Sequence, residues 1–283
     1  MPVMARAAAD PIEIAMAKLR PLFIPKLPTR AGDWLEQHRE PGQTYREFRA
    51  QVARRAIDSF DKIRVVPVGP LSTGQKAVLD ITVAFLKPFF GLPLELDPAV
   101  ALSDIPADAQ RDFTIAGPRQ LLTTYLLNDT LMKHRRPRDA AVLGITAMDL
   151  WPGEGWNFVF GQASLSERVG IWSMARNGDA DGEPFMRRLC ALRTVMTATH
   201  ETGHMFGIRH CTAYECGMNG SNSAAERDRQ PLEFCPECQA KLWWTLNLDP
   251  LARSRALEAL ARQQAFGEAA AGLARQSRAL SAG

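Results

Sequence analysis

The segment His200-Glu201-Thr202-Gly203-His204-Met205-Phe206-Gly207-Ile208-Arg209-His210 holds the residue types and spacings in this chain best suited to chemistry. His200 and His204 stand four residues apart, so on a helix they share one face and can hold a single metal ion. Glu201 lies beside the first of them, where its carboxylate can reach a water on the ion rather than the ion itself. Gly207 sits where the helix would end. Glycine adopts the left-handed conformation cheaply, and the resulting turn can swing His210 back as a third ligand. Three neutral imidazoles leave one coordination position open for water, the arrangement of catalytic rather than structural zinc. Such a water approaches a pKa of about 7, and Glu201 can take its proton as general base. Chance is a poor explanation. With 5 His, 20 Gly and at most 31 Glu in 283 residues, this pattern would arise in roughly one chain in 100,000.

A second donor group follows at once. Cys211 is the next residue after His210, Cys216 comes five positions later, and Cys235-Pro236-Glu237-Cys238 supplies a CxxC knuckle. Two such pairs suit a tetrahedral structural zinc with no open position. The expectation is therefore two zinc ions per chain, one catalytic and one structural. Two disulfides are the alternative. Residues 1–16 lack the apolar stretch of about 7–15 residues that a secretory signal needs, which points to a reducing cytoplasm and away from disulfides. Cys190, ten residues before His200, reads as inert packing.

At these residues the chain resembles the metzincin zinc peptidases, and more specifically the archaemetzincins. That family joins HExxHxxGxxH to C-x4-C-x-M and a later CxxC, and here the join reads His210-Cys211-Thr212-Ala213-Tyr214-Glu215-Cys216-Gly217-Met218. The resemblance implies that Met218 is the buried thioether beneath the three-histidine zinc. It runs from about residue 63 to 246, and includes Leu143-Gly144-Ile145-Thr146 and Phe158-Val159-Phe160-Gly161. Gly32-Asp33-Trp34-Leu35 and Glu40-Pro41-Gly42-Gln43 are similar to longer, vertebrate-type members. Metzincins with a tyrosine as fifth zinc ligand carry it two residues after the methionine; that position is Gly220 here, so no such ligand is expected. Tyr214 reads as a packing or surface residue.

The resemblance implies a zinc metallopeptidase acting on a peptide or protein, with an aminopeptidase among the options. It also implies a substrate bound as an extra strand on an exposed sheet edge, for which residues 156–163 are the candidate. Two other readings compete: a non-catalytic, zinc-stabilised binding module, and a zinc hydrolase of a non-peptide amide. Glu201, which is no ligand, argues against the first; only the cleft distinguishes the second. Asn219, Ser221 and Asn222 could touch substrate, although turn-making explains them equally well.

The elements that must position these groups alternate along the chain. Residues 63–69 read as a β-branched strand, 74–90 as a helix, 92–96 as a strand, 118–136 as a helix and 140–148 as a buried strand. Residues 156–163 and 169–175 follow as strands, and Pro184 opens a helix that runs through His204. This order predicts an α/β fold, with helices packed on a twisted mixed sheet of metzincin type and a small zinc-bound subdomain from about residue 207. The expected organisation is an N-terminal arm (1–60), a catalytic domain (61–249) and a helical or flexible tail (250–283). Within the arm, residues 44–60 place Tyr45, Phe48, Val52, Ala56 and Ile57 at helical spacing, and the segment 25–43, rich in Pro, Gly and charge, reads as extended or turn-like.

Composition adds exclusions. Hydrophobic residues make up 46% and charged residues 23% of the chain, so it can bury a core. The net charge is 34 − 31 = +3, too small to point to nucleic acid. The basic run Lys133-His134-Arg135-Arg136-Pro137-Arg138 reads as a solvated helix end. The most apolar stretch, 77–96, is interrupted by Asp80, Lys87, Pro88 and Pro93, so no membrane span is expected.

Overall fold

The computed structural model describes residues 10–51, 60–112, 118–164 and 166–282. The last part of the helix expected over 44–60, with Val52, Ala56 and Ile57, lies outside them. The arm supplies α1 (Pro11–Leu19), α2 (Trp34–Gln37) and α3 (Tyr45–Gln51). Then come β1 (Lys62–Val68), α4 (Thr73–Phe90), β2 (Leu94–Leu96), β3 (Gln110–Asp112), β4 (Arg119–Leu122), α5 (Thr123–Tyr125), β5 (Asp139–Thr146), β6 (Asp149–Trp151), β7 (Gly161–Ser164) and β8 (Val169–Ser173). Five helices complete the chain: α6 (Pro184–Met205), α7 (Ala224–Arg227), α8 (Pro236–Leu246), α9 (Pro250–Gln263) and α10 (Gly267–Ser281).

The main sheet has the order β2-β1-β5-β8-β7. Its first four strands are parallel, and β7 pairs antiparallel with β8 at the edge. Every residue of β5 is buried, and all of β1 but its first. Strands of this kind need cover on both faces. On one face lie α4 and α6, through Phe85, Leu86, Phe89, Val195 and Ala198. On the other, Leu121, Leu126, Leu127, Leu131 and Leu150 meet Val66, Val142 and Ile171. The expected α/β fold of a mixed sheet with packed helices is observed. Among the described residues no helix is long and apolar enough to cross a membrane.

Local chemistry sets the helix bounds. The Ser72 hydroxyl accepts from the Gln75 amide and the Gln75 side chain caps Ser72 in return, which starts α4; Gly91, with φ +63°, ends it. Helix α6 opens on Pro184. Its buried threonines do not need outside partners, because Thr194, Thr199 and Thr202 donate to the carbonyls of Cys190, Val195 and Ala198 one turn earlier. A polar helix can therefore pass through the core.

Two expectations need correction. Residues 118–136 do not form one helix. They begin as β4, between β3 and β6 in a second, three-stranded sheet. After α5 the chain winds as a π-turn over Leu126–Thr130 and a 3₁₀ turn over Leu131–His134. The apolar pairs Leu121-Leu122, Leu126-Leu127 and Leu131-Met132 recur every five residues, wider than the α-helical repeat and matched to a π-turn. Residues 156–163 are a strand only from Gly161 onward. Before it, Phe158 and Phe160 meet edge to face at 5.4 Å and are covered by Arg176 and Arg227, so these side chains pave a wall instead of extending a ladder.

The tail is two docked helices. Phe266 packs on Phe85 with tilted rings, centroids 5.5 Å apart, and Leu257 and Leu273 are buried in the same core. Arg253 is buried beneath Phe89 and donates to its carbonyl at 2.9 Å. Burying each of these three apolar side chains stabilises the fold by about 1.5–3 kcal/mol. Deleting residues 250–283 should therefore lower the melting temperature by about 10 °C or more. A truncated chain melting within a degree or two of the full one would contradict this packing.

Candidate metal centre and active-site cleft

Helix α6 presents His200 and His204 on successive turns, and the chain then reverses at Gly207, where φ is +84°. The amides of Phe206, Gly207 and Ile208 close the helix end by bonding back to Gly203 and His204 carbonyls. This is the expected glycine turn, and it brings His210 beside the other two. The three imidazole centroids lie 4.6, 5.0 and 5.3 Å apart.

The Nδ1 atoms explain how the rings are aimed. His200 Nδ1 lies 2.9 Å from the Gly217 carbonyl, and His204 Nδ1 lies 2.7 Å from the Ile208 carbonyl. His210 Nδ1 lies 2.9 and 3.0 Å from the two carboxylate oxygens of Glu40. These oxygens accept, so each Nδ1 donates and each Nε2 is left as a bare lone pair. The Nε2 atoms of His200 and His204 are nonetheless only 3.0 Å apart. Two facing lone pairs at that distance repel unless a cation sits between them, and nitrogens sharing one zinc stand roughly 3.3 Å apart. Burial holds His200 well below its ordinary pKa and His204 at about 4, so both stay neutral and able to ligate at pH 7. The three residues could hold one metal ion.

Glu201 is buried on the cleft side of α6, and burial alone pushes its pKa up to about 8. A positive charge arriving in the cleft would favour its ionised form. Gly161 in β7 packs directly on it: a methyl group there would come within 2.9 Å of Glu201 Cγ. The cleft, of about 760 Å³, runs between β7 with the wall 155–160 on one side and the segment 217–230 on the other. Ser221 and Asn222 line it. Tyr214 instead bridges to Pro25 in the arm. Met218 is buried with its sulfur against Gly203, a contact that any larger residue at 203 would block.

The four cysteine sulfurs lie within 4.8 Å of one another, fully enclosed, with Cys211 and Cys235 3.6 Å apart. That is far beyond a disulfide bond of about 2.05 Å and close to the separation of two thiolates on one zinc. Burial raises the Cys216 and Cys235 thiols above their ordinary range, so a cation is needed to make all four thiolates. Cys216 Sγ also accepts from the amides of Met218 and Cys235 at 3.4 and 3.1 Å. Asn219 donates to the Cys211 and Tyr214 carbonyls and accepts from the Cys216 amide, which makes holding the turn of the cysteine loop its main role. Cys190 stands apart, buried in the core as expected.

The arm contributes what sequence spacing did not indicate. Its residues pair with the cysteine loop, Lys26 N donating to Ala213 O and Glu215 N to Ile24 O, both at 3.0 Å. Glu226 accepts from the Trp34 amide at 2.9 and 3.1 Å. Trp34 then lies edge-on to His210, with centroids 5.2 Å apart, in the space that glycine at 220 leaves open. Glu40 stands behind His210. The resemblance of residues 32–43 to longer family members was the only signal that pointed to this segment.

A mixed sheet backing a helix with HExxH, and a third histidine after a glycine turn, define a zinc metallopeptidase of metzincin type. Comparison with known proteins narrows the class. Residues 126–243 match the model of peptidase family M54. Archaemetzincin-2 of Rattus norvegicus is 31% identical over 88% of this chain and 78% of its own, and that of Macaca fascicularis is 33% identical over 83% and 74%. The crystal structure of an archaemetzincin from Methanopyrus kandleri superposes with a TM-score of 0.54 at 30% identity, covering 70% of this chain and all of that one. The chain belongs to the archaemetzincin family of zinc metallopeptidases.

The Glu40 contact yields a test. A carboxylate behind a ligating histidine typically strengthens metal binding 10–100-fold. Glu40→Gln should therefore release zinc from the histidine group to a chelator about tenfold faster or more, with an unchanged circular dichroism spectrum. Equal release rates would show that Glu40 does not support His210.

Proposed function

We propose that His200, His204 and His210 hold the catalytic zinc and that Glu201 moves the protons of peptide hydrolysis. A bound zinc would supply Lewis acidity, polarising the scissile carbonyl and acidifying the attacking water. Glu201 Oε takes a proton from that water and delivers it to the leaving amine nitrogen, so the carboxylate is regenerated in each turnover. Gly161 leaves the space this carboxylate occupies, since a side chain at 161 would collide with it. The outer edge of β7 lies along the cleft, and its backbone groups can pair with an extended substrate as one more strand. Cys211, Cys216, Cys235 and Cys238 hold a second, structural zinc, which gives two ions per chain.

The observation that carries this reading is the convergence of three bare Nε2 atoms beside a buried carboxylate that has no structural partner. A binding module that kept its ligands for folding has no use for Glu201 there. An aminopeptidase would need a second carboxylate to receive the substrate's free amine. Among the described residues lining the cleft, Glu201 is the only carboxylate, which favours an endopeptidase or carboxyl-side mode over aminopeptidase action. Cysteines that hold zinc as thiolates suit a reducing compartment, which supports a cytoplasmic protein.

Glu201→Gln should keep its zinc and its melting temperature and lose cleavage of a broad peptide library by about 100-fold or more. Cleavage at the wild-type rate would overturn the proton-transfer role. Elemental analysis should find two zinc ions per chain, falling to one in Cys235→Ser and in His204→Gln alike. One ion in the wild type would overturn the four-cysteine assignment.

A further inference from the structure

We propose that Arg227 is the specificity-determining residue of the cleft, receiving a carboxylate of the substrate beside the scissile bond. The inference rests on the cleft being the peptidase site. Arg227 ends α7 and is only 5% exposed. Its Nη1 donates to Thr197 Oγ1 at 3.1 Å, and its guanidinium lies 4.2 Å from the Phe160 ring centroid. Nε and Nη2 are buried without any acceptor. The neighbouring carboxylates are committed elsewhere: Asp228 to both sides of the Arg193 fork, and Glu226 to the amides of Trp34 and Asn222. Asp228 is near enough to be felt electrostatically but makes no hydrogen bond to the Arg227 guanidinium, and each unmet buried donor costs about 1–3 kcal/mol. Burial lowers its pKa only to about 10, so it remains a cation at neutral pH.

Its location gives that unused capacity a purpose. Thr197, which holds Nη1, lies one turn before His200 on α6, a rise of about 4.5 Å. Phe160, which covers the guanidinium, precedes Gly161, which touches Glu201. Arg227 thus lines the same cleft as His200, Glu201, His204 and His210, held by Thr197 of α6 and covered by Phe160 just before β7. Of the charged side chains lining the cleft, Glu201 is the carboxylate and Arg227 the cation. The fork of Nε and Nη2 matches a carboxylate with two parallel hydrogen bonds. Reaching it requires the Phe160 ring to move aside. The carboxylate can be a substrate's terminal group or an Asp or Glu side chain; both present the same two oxygens.

The test uses the zinc-loaded full chain and two matched peptide pairs. One pair differs by Glu or Gln next to the cleaved bond, the other by a free or amidated C-terminus. Wild type should prefer the acidic member of one pair by about tenfold or more in kcat/KM, mainly through KM, and the pair that responds identifies the source of the carboxylate. Arg227→Met should bring that ratio to about one. Arg227→Lys, which keeps the charge without the fork, should retain only part of it and covers the case in which the methionine variant does not fold. Wild type without a preference in either pair, or a preference untouched in Arg227→Lys and Arg227→Met, would overturn the proposal. If neutral peptides are cleaved without acidic preference, only this inference fails. If no peptide is cleaved, the peptidase reading fails, and calorimetric binding of the same pairs to the wild type and both variants decides the role of Arg227 by the same ratio.

Discussion

One peptide bond, between His210 and Cys211, ties together the two side-chain groups proposed to bind metal, the three histidines and the four cysteines. Successive side chains of extended backbone point to opposite sides. His210 therefore faces the cleft while Cys211 faces the enclosed cysteine group, and the loop between Ile208 and Met218 becomes a thin partition. Both polar backbone groups of Cys211 are fixed, its amide to the Met218 carbonyl at 2.7 Å and its carbonyl to Asn219 at 2.7 Å. The other wall is equally constrained, since Met218 packs on Gly203 and the Gly217 carbonyl aims His200. The rest of the fold braces this partition: α6 packs on β5, β7, β8 and α4, and α9 packs on α4 in turn.

The arm adds a second restraint from outside. A short run of backbone pairing with the cysteine loop brings residues 24–40 across it, so that Trp34 and Glu40 reach His210. The third histidine is thus held by groups far away in sequence, whereas the first two need only a helix and two carbonyls. Ligands that come from a loop need more help than ligands that come from a helix.

This contrast also explains what could be read from the sequence. His200, Glu201, His204, Gly207 and His210 are local in sequence, and their spacing alone encodes a helix, its end and the turn back. The cysteines were legible because CxxC and the adjacency of Cys211 to His210 are local too. The parallel strands 62–68 and 139–146 stood out because residues buried on both faces leave no polar alternation. Glu40 is 170 positions from His210, and only the resemblance of residues 32–43 to longer family members drew attention to its segment, with no role attached to its carboxylate. Gly161 and Arg227 matter through what they touch across the cleft, which no periodicity records. The segment 118–136 misled because Pro118 near its start and the basic residues at its end are helix-boundary signals, whereas its five-residue apolar repeat, wider than a helix allows, fits a strand followed by a π-turn.

The most direct test of the partition is to disturb one group and read the other. In Cys238→Ser, whose altered residue lies far along the chain from His210, the cysteine group should lose its ion and one zinc should remain. The zinc of the histidine group can be assigned in the wild type by its absence from His204→Gln. If the two groups share one rigid backbone, a chelator will remove the remaining ion from Cys238→Ser about tenfold faster or more than it empties the histidine group of the wild type. Removal at the wild-type rate would contradict the account, because the histidines would then hold their geometry without help from the cysteine side.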